Sequence, residues 1–207
     1  MLISQKHHFI FIHIYKNAGS SITRALIPYC SNPAHLFTHR VLKRFGIFDL
    51  DPIPYSKHIK ASSLIRKMGH DSFQSYFSFA VVRNPWDWNV SLYKYMLKDE
   101  GHHQHEAVKN MKDFDEFIRH KCSVPHDFQK DFIYSENGEK LVDYIARFEN
   151  INEEFKTICK KIGIQPKKLP HLNISNTTHY REYYTDETRK LVQDFFQPDI
   201  ELFGYEF

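Results

Sequence analysis

The feature that most constrains this fold is a pair of short apolar runs, Phe9–Ile14 and Phe77–Val82. Both are rich in β-branched and aromatic residues, and each has the length of a strand that is buried on both faces. A third such run is Val142–Phe148. Helical patterns separate the runs, and alternation of this kind predicts a parallel sheet flanked by helices on both faces. The predicted fold class is therefore α/β, as a three-layer domain.

Amphipathic or capped segments between and after these runs predict the helices. The predicted helices are Ser20–Ile27, Ser62–Gly69, Trp86–Leu97, Met111–His120, Asn152–Ile162 and Asp186–Phe196. Thr185 is a residue type that caps helices, and Pro85 suits a first turn. Residues 29–56 contain several Pro and His residues, so we expect mostly irregular structure there. No linker or repeat divides the sequence, and we expect a single domain over residues 1–207.

Composition argues against several classes of protein. The net charge is only +3 and the basic residues are scattered, so we expect no nucleic-acid partner. The three cysteines lie far apart and form no CxxC pair, which disfavours a disulfide framework or a zinc site. An odd cysteine count fits a reducing compartment. The apolar runs are too short for a signal peptide or a transmembrane segment, so we expect a cytoplasmic protein.

A lysine-containing turn follows the first run and leads into a helix. Ligands of parallel α/β sheets bind at the carboxyl ends of the strands, so this turn is a candidate site. Backbone N–H groups at a helix start bind phosphate or sulfate oxygens. Gly19 would let the backbone approach such an anion closely, and Lys16 would add positive charge. The candidate anion-binding residues are Lys16, Asn17, Ala18, Gly19, Ser20 and Ser21.

This turn differs from the standard P-loop. In that motif the lysine follows the second glycine and precedes the Ser or Thr that binds magnesium. Here Lys16 precedes Gly19, and no glycine stands before Lys16. A magnesium-dependent kinase or ATPase is therefore disfavoured. The alternative without a ligand is that Gly19 and the two serines only cap a helix.

A second candidate site follows the second run. Arg83 stands at the end of the strand, where a guanidinium can grip a phosphate in bidentate fashion. Ser91 lies eight positions later, about two turns into the predicted helix, and is a candidate for the same phosphate. Trp86 and Trp88 are candidates for stacking on adenine or for core packing, and core packing is favoured for at least one of them. The alternative for Arg83 is a surface salt bridge.

These two motifs resemble those of the sulfotransferase family. Lys16–Ser21 is similar to the family's 5'-phosphosulfate loop, and Arg83–Asp87 followed by Ser91 is similar to its 3'-phosphate motif. The most similar branch is that of the carbohydrate sulfotransferases, including the uronyl and heparan 2-O-sulfotransferases. The likeness continues through Arg147–Asn150, Leu169–Asn173, Tyr183, Tyr184, Asp199, Ile200 and Phe203–Tyr205. Golgi members carry a membrane anchor, and this sequence of 207 residues shows none and is shorter than most, so we expect neither their location nor all of their substrate-binding extensions to carry over.

The resemblance implies a P-loop-like fold and transfer of a sulfuryl group from 3'-phosphoadenosine 5'-phosphosulfate (PAPS) to a hydroxyl group, with no metal. The expected partners are PAPS, its product adenosine 3',5'-bisphosphate (PAP), and a carbohydrate or other hydroxyl acceptor. Lys16 would stabilise the charge on the bridging oxygen. The N–H groups near Gly19 and Ser20, with the Ser21 hydroxyl, would hold the 5'-phosphate. Arg83 and Ser91 would hold the 3'-phosphate.

The acceptor hydroxyl needs a general base, and histidine is the usual residue near neutral pH. A base histidine lies just upstream of the 3'-phosphate strand in the related 2-O-sulfotransferases, and His58 has that place here. The alternative for His58 is an ordinary surface histidine. Lys57 and Lys60 are candidates for attracting an acidic acceptor. The histidines of Gly101–His105 are expected in a solvated loop rather than at a metal site.

Two other functions remain open at this point. A nucleotide or small-molecule kinase would need a magnesium ligand such as an Asp at the carboxyl end of a strand, but Asp143 stands at the start of its predicted strand. A non-catalytic anion-binding or glycan-binding module would use the same turns without chemistry. For such a module, replacing His58 with alanine would change nothing.

Overall fold

The computed structural model describes residues 1–30, 56–165, 169 and 179–207. Most of the irregular segment predicted over residues 29–56 lies outside this part, as does most of the segment Leu169–Asn173. The chain forms two compact units. The first comprises Met1–Val82 and Asp131–Leu172, and the second comprises Arg83–Lys130 and Asn173–Phe207. A single domain over residues 1–207 stays a prediction.

The predicted strands and helices are all present, with ends shifted by a few residues. In chain order the elements are β1 (Leu2–Ser4), β2 (Phe9–Ile12), α1 (Gly19–Leu26), α2 (Ala61–Met68), α3 (His70–Gln74), β3 (Phe77–Val82), α4 (Pro85–Lys98), α5 (His105–Lys109), α6 (Phe114–Lys121), β4 (Tyr144–Arg147), α7 (Ile151–Lys161), α8 (Asp186–Phe195) and α9 (Gln197–Phe203). Short 3-10 segments cover Ile27–Tyr29, Lys130–Phe132, Phe148–Asn150 and Tyr180–Tyr183.

The first unit contains a four-stranded sheet in the order β1-β2-β3-β4. The pairs β2–β3 and β3–β4 are parallel, so the α/β fold class with a mostly parallel sheet flanked by helices is confirmed. Strand β1 pairs antiparallel with β2 and was not predicted. It has only three residues, too few to show a periodic pattern.

The core of the first unit explains why the apolar runs are continuous. Side chains of Phe9, Phe11 and Phe79 pack with residues of α1 and α7 in one buried cluster. Their neighbours along the strands point to the opposite face, and these residues, such as Ile10 and Ala80, are also fully buried. A sheet that is buried on both faces leaves few positions for polar side chains, so the alternation of apolar and polar residues disappears.

The second unit is helical in its described part. Helix α4 begins as predicted, with Pro85 in its first turn and the Asn84 side chain accepting from the Trp86 backbone N–H at 3.0 Å. Thr185 caps α8 as predicted, through a reciprocal capping box with Thr188. No helix in the described residues combines the length and the apolar character that a membrane span requires.

Candidate functional site

The turn after β2 is held in an uncommon backbone conformation. Lys16 and Ala18 have φ angles of 63° and 56°, in the left-handed region, whereas Asn17 between them does not. Each such residue costs on the order of 1–3 kcal/mol, so the surrounding structure must fix this shape. Left-handed residues beside right-handed ones turn backbone N–H groups into a concavity that suits an anion. The two left-handed residues thus make this turn a candidate for such an anion site.

Helix α1 starts without a side-chain cap. Its N-cap residue is Ala18, which makes no capping hydrogen bond through its side chain. The expectation that serines cap this helix is wrong, because Ser20 and Ser21 lie inside the first turn. Ser20 is exposed and Ser21 is half-buried. The positive end of the helix dipole thus stands at the lysine turn.

Gly19 is required by its neighbour His13. A Cβ atom at position 19 would lie 1.6 Å from His13 Nε2. This packing reason for the glycine stands beside the predicted close approach to an anion, which stays a prediction. His13 itself is only 3% exposed, so its ring cannot easily give way.

Asn17 ties the lysine turn to the adjacent strand. Its side chain is almost fully buried, and Nδ2 donates to the Val81 carbonyl oxygen at 2.8 Å. Val81 belongs to β3, next to β2 in the sheet. The Asn17 side chain therefore helps to fix the shape of the turn, and its predicted role in anion binding stays a prediction.

His58 lies beside the lysine turn within the first unit. Its Nδ1 lies 2.9 Å from the His13 carbonyl oxygen, and a carbonyl can only accept, so Nδ1 carries the proton. The His58 ring lies 4.6 Å from the His13 ring and 5.4 Å from the Tyr15 ring, centroid to centroid. In the neutral ring, this tautomer leaves the lone pair on Nε2. The structure thus places the predicted base next to the predicted sulfate-binding turn.

Burial keeps both histidines neutral near pH 7. Burial is the main cause that lowers the pKa of His58, and the hydrogen bond to the His13 carbonyl partly opposes it. Burial, followed by the nearby positive charges of the N-terminus and Lys57, lowers the pKa of His13 to about 2. Within the described chain, His13 Nδ1 is buried without a hydrogen-bond partner. No sequence pattern distinguished His13 from the other residues of its run.

Arg83 opens the second unit, directly after the last residue of β3. Its side chain is 7% exposed, and Nε donates to Asp87 Oδ2 at 2.8 Å. The salt bridge that was the alternative for Arg83 exists, but it is largely buried rather than on the surface. A single Nε contact orients the plane of the guanidinium. Ser91 is half-buried and lies two turns into α4.

Both tryptophans of this segment pack inside the second unit. Trp86 is 2% exposed, and its Nε1 donates to the Arg189 carbonyl oxygen at 3.0 Å. Trp88 is 9% exposed, and the Lys121 ammonium lies 5.5 Å from its ring. Core packing is therefore the role of both rings, and the adenine-stacking alternative loses its support.

Two predictions about polar residues have opposite outcomes. Asp143 Oδ2 accepts from the Ser78 N–H at 2.7 Å, at the amino end of β3, which confirms that Asp143 stands at the wrong edge for a magnesium ligand. The solvated loop predicted for Gly101–His105 is wrong at its end, because His105 begins α5 and is 5% exposed. The His105 Nδ1 donates to the Met96 carbonyl oxygen at 2.8 Å, which satisfies this ring nitrogen in its buried position. The described residues contain no group of three or more potential metal ligands.

The chain is similar to known proteins along almost its whole length. The model of the sulfotransferase family matches residues 1–206. The solved mouse sulfotransferase SULT7A1, complexed with PAP, has a TM-score of 0.54 at 13% identity and covers 96% of this chain and 86% of that one. At this identity the likeness shows the fold alone.

Two further proteins are more distant or less informative. A sulfotransferase structure from Alicyclobacillus acidocaldarius has a TM-score of 0.36 at 12% identity, over 100% of this chain and 95% of that one, too low to support an argument. An uncharacterized protein of Archaeoglobus fulgidus is 28% identical over 120 residues, which are 56% of this chain and 92% of that protein.

Proposed function

Because this chain belongs to the sulfotransferase family, we propose that it transfers the sulfuryl group of PAPS to a hydroxyl group, with a carbohydrate as the acceptor class. Membership of the family indicates sulfuryl transfer. The donor, the acceptor class and the likeness to the uronyl and heparan 2-O branch are the proposed parts. The mouse neighbour was solved with PAP, the product that PAPS leaves behind, and this supports the choice of donor.

The observation that carries the proposal is the lysine turn between β2 and α1. Its left-handed Lys16 and Ala18, its uncapped helix start and the Lys16 charge together favour a bound anion. The turn follows a strand at the carboxyl edge of a parallel sheet, where α/β enzymes bind ligands. Ser20 and Ser21 add hydroxyl groups in the first turn.

In the proposed reaction, the acceptor oxygen attacks the sulfur in line with the bond to the leaving phosphate. A new S–O bond forms as the bridging S–O bond breaks, and PAP leaves with both electrons of that bond. Lys16 stabilises the negative charge that develops on the bridging oxygen. His58 Nε2 takes the proton of the acceptor hydroxyl and later releases it to solvent. No metal takes part in this scheme.

Arg83 and Ser91 are the proposed ligands of the 3'-phosphate, the group that distinguishes PAPS from ATP. Asp87 fixes the Arg83 guanidinium plane, and fixed charges bind a phosphate with less loss of side-chain entropy.

The cytoplasmic location is also part of the proposal. Cys30, Cys122 and Cys159 all lie in the described chain as thiols, which fits the reducing cytoplasm.

Transfer of radioactive sulfate tests the proposal directly. The protein is incubated with [35S]PAPS and a panel of desulfated polysaccharides, neutral oligosaccharides and simple alcohols. We expect label in a carbohydrate, and a fall in kcat of about 100-fold or more for Lys16→Met, because the charge on the leaving oxygen loses its partner. Lys6→Met, an exposed lysine of the same unit, is the matched control and should transfer label normally.

Two results would contradict the proposal. One is the absence of label from every acceptor while the folded protein transfers the γ-phosphate of magnesium-ATP, which would favour a kinase. The other is unchanged turnover in both Lys16→Met and His58→Ala, which would assign the turn to a non-catalytic binding module.

A further inference from the structure

Gln129 holds both backbone polar groups of Arg83. The Arg83 N–H donates to Gln129 Oε1 at 2.9 Å, and Gln129 Nε2 donates to the Arg83 carbonyl oxygen at 2.8 Å. Both residues are nearly buried, with exposures of 5% for Gln129 and 6% for Arg83. The side-chain amide thus pairs with the Arg83 backbone as the backbone of an adjacent strand would, one residue after β3 ends. This two-point pairing fixes the backbone from which the Arg83 side chain projects.

Asp199 in turn fixes Gln129. Its two carboxylate oxygens accept the backbone N–H groups of Gln129 and Lys130, each at 2.9 Å. Asp199 is fully buried, in the first turn of α9. A buried carboxylate that accepts two backbone N–H groups is strongly held, because leaving those groups unpaired is costly. The order of contacts is therefore Asp199, Gln129 and then Arg83.

The residues after Arg83 are held as well. Asn84 Nδ2 donates to the Glu206 carbonyl oxygen at 2.8 Å, while the Asn84 side-chain oxygen caps α4. The Arg83 side chain is oriented by Asp87 on the first turn of that helix. The backbone position of Arg83 and its ion pair with Asp87 both contribute to the direction of the guanidinium, and Gln129 holds the backbone position.

We propose that Gln129 is a positioning residue for Arg83, supported by Asp199, and that it sets the affinity of the protein for the 3'-phosphate of the donor. This rests on the proposed function, in which Arg83 binds that phosphate. Bidentate contact between a guanidinium and a phosphate needs both partners in a narrow geometry. In enzyme sites a displacement of about 1 Å can lower the reaction rate up to 100-fold, and binding of the phosphate depends on the same precision. The Gln129 side chain would therefore act on the phosphate through the Arg83 backbone, which it contacts at two points.

A double-mutant cycle on PAP binding tests this role. Calorimetric titration with PAP is done for wild type, Gln129→Met, Arg83→Ala and the double variant. Methionine keeps the length and approximate volume of Gln129 and removes both hydrogen bonds. We expect Gln129→Met to weaken PAP binding roughly tenfold in the wild-type background, and to change it little when Arg83 is already alanine. With PAPS as donor, KM should rise while kcat stays within about twofold.

Thr185→Ala is the matched control for general loss of stability. It removes the cap of α8 in the same unit and is expected to lower stability without weakening PAP binding. If Gln129→Met does not fold, Asp199→Asn takes its place, because it removes one acceptor from the backbone of Gln129 or Lys130. A smaller weakening in the same direction is then expected.

The outcomes separate this proposal from the proposed function. Wild-type protein that fails to bind PAP overturns both. Wild-type binding that Arg83→Ala weakens, with folded Gln129→Met or Asp199→Asn binding as tightly as wild type, overturns the positioning role alone. The same loss from Gln129→Met in the Arg83→Ala background also overturns it, because Gln129 would then act by another route.

Discussion

His13 links the stability of the first unit to pH. The ring is 3% exposed, and burial followed by nearby positive charge lowers its pKa to about 2. In the unfolded chain the same ring titrates near its ordinary pKa of about 6.5. Below that pH the unfolded state binds a proton at His13, whereas the folded state does not. The free energy of unfolding is therefore highest, as far as His13 is concerned, above pH 6.5, and it decreases as the pH falls below that value.

We expect His13 to account for about 2 kcal/mol of the stability lost between pH 7.5 and pH 5. Urea unfolding at both pH values, for wild type and His13→Phe, measures this share as the difference between their pH dependences. His70→Phe removes an exposed histidine of the same unit as the control. Equal pH dependence in wild type and His13→Phe would show that His13 does not carry the effect.

Protonation of His58 should cause the loss of activity at acidic pH. Burial lowers its pKa, so the ring remains neutral at pH values where an exposed histidine is already charged. We expect kcat/KM to be constant through neutral pH and to fall only below about pH 6.5. The pH profile of the wild type checks this, and His58→Ala should lose turnover while PAP affinity is retained. An acidic limb that persists in His58→Ala would assign the base to another group.

At the two ends of the turn between β2 and α1, His13 and Gly19 pack directly against each other. A methyl group at position 19 would meet the His13 ring at 1.6 Å, so Gly19→Ala must move the ring or the start of α1. We expect a loss of about 1–3 kcal/mol in unfolding free energy. In His13→Ser the ring is gone, and the same glycine change should cost much less.

Urea unfolding of the two single variants and the double variant measures this coupling. Gly101→Ala is the control, because the nearest atom to its added Cβ lies at 3.4 Å. Strictly additive losses for the Gly19 and His13 changes would contradict the packing role of the glycine.

The elements differ in how well the sequence predicts them. Strands β2 and β3 were predictable because both of their faces are buried, and such strands have nearly continuous apolar sequences. Strand β1 is too short to leave such a pattern. The start of α1 was mispredicted because Ala18 takes the N-cap position in a left-handed conformation, and the sequence offered two serines nearby.

The site residues divide in the same way. Lys16, Arg83 and Ser91 are proposed from motifs that are contiguous in sequence and follow strands, and their roles stay predictions. The contacts of Asn17 and Gln129 could not be predicted in this way, because they join residues far apart in the chain, such as the 64 positions between Asn17 and Val81 and the 46 between Arg83 and Gln129. Buried polar side chains that satisfy a distant backbone group have no local signature.

On the scale of the whole molecule, the family match over residues 1–206 includes both strand-end motifs, and the proposed reaction uses both. The lysine turn and His58 belong to the first unit, and Arg83 and Ser91 belong to the second. Discrimination of a 3'-phosphorylated nucleotide is the property that separates this chemistry from that of a kinase. A direct comparison of two nucleotides that differ only in that phosphate is therefore decisive.

Calorimetric titration of wild type and Arg83→Ala with PAP and with adenosine 5'-monophosphate, both without magnesium, makes this comparison. We expect PAP to bind at least roughly tenfold more tightly than the monophosphate, and Arg83→Ala to remove most of that difference, because the charged contacts to the 3'-phosphate are lost. Equal affinity of wild type for the two nucleotides, or no binding of PAP alongside binding of magnesium-ATP, would contradict the account.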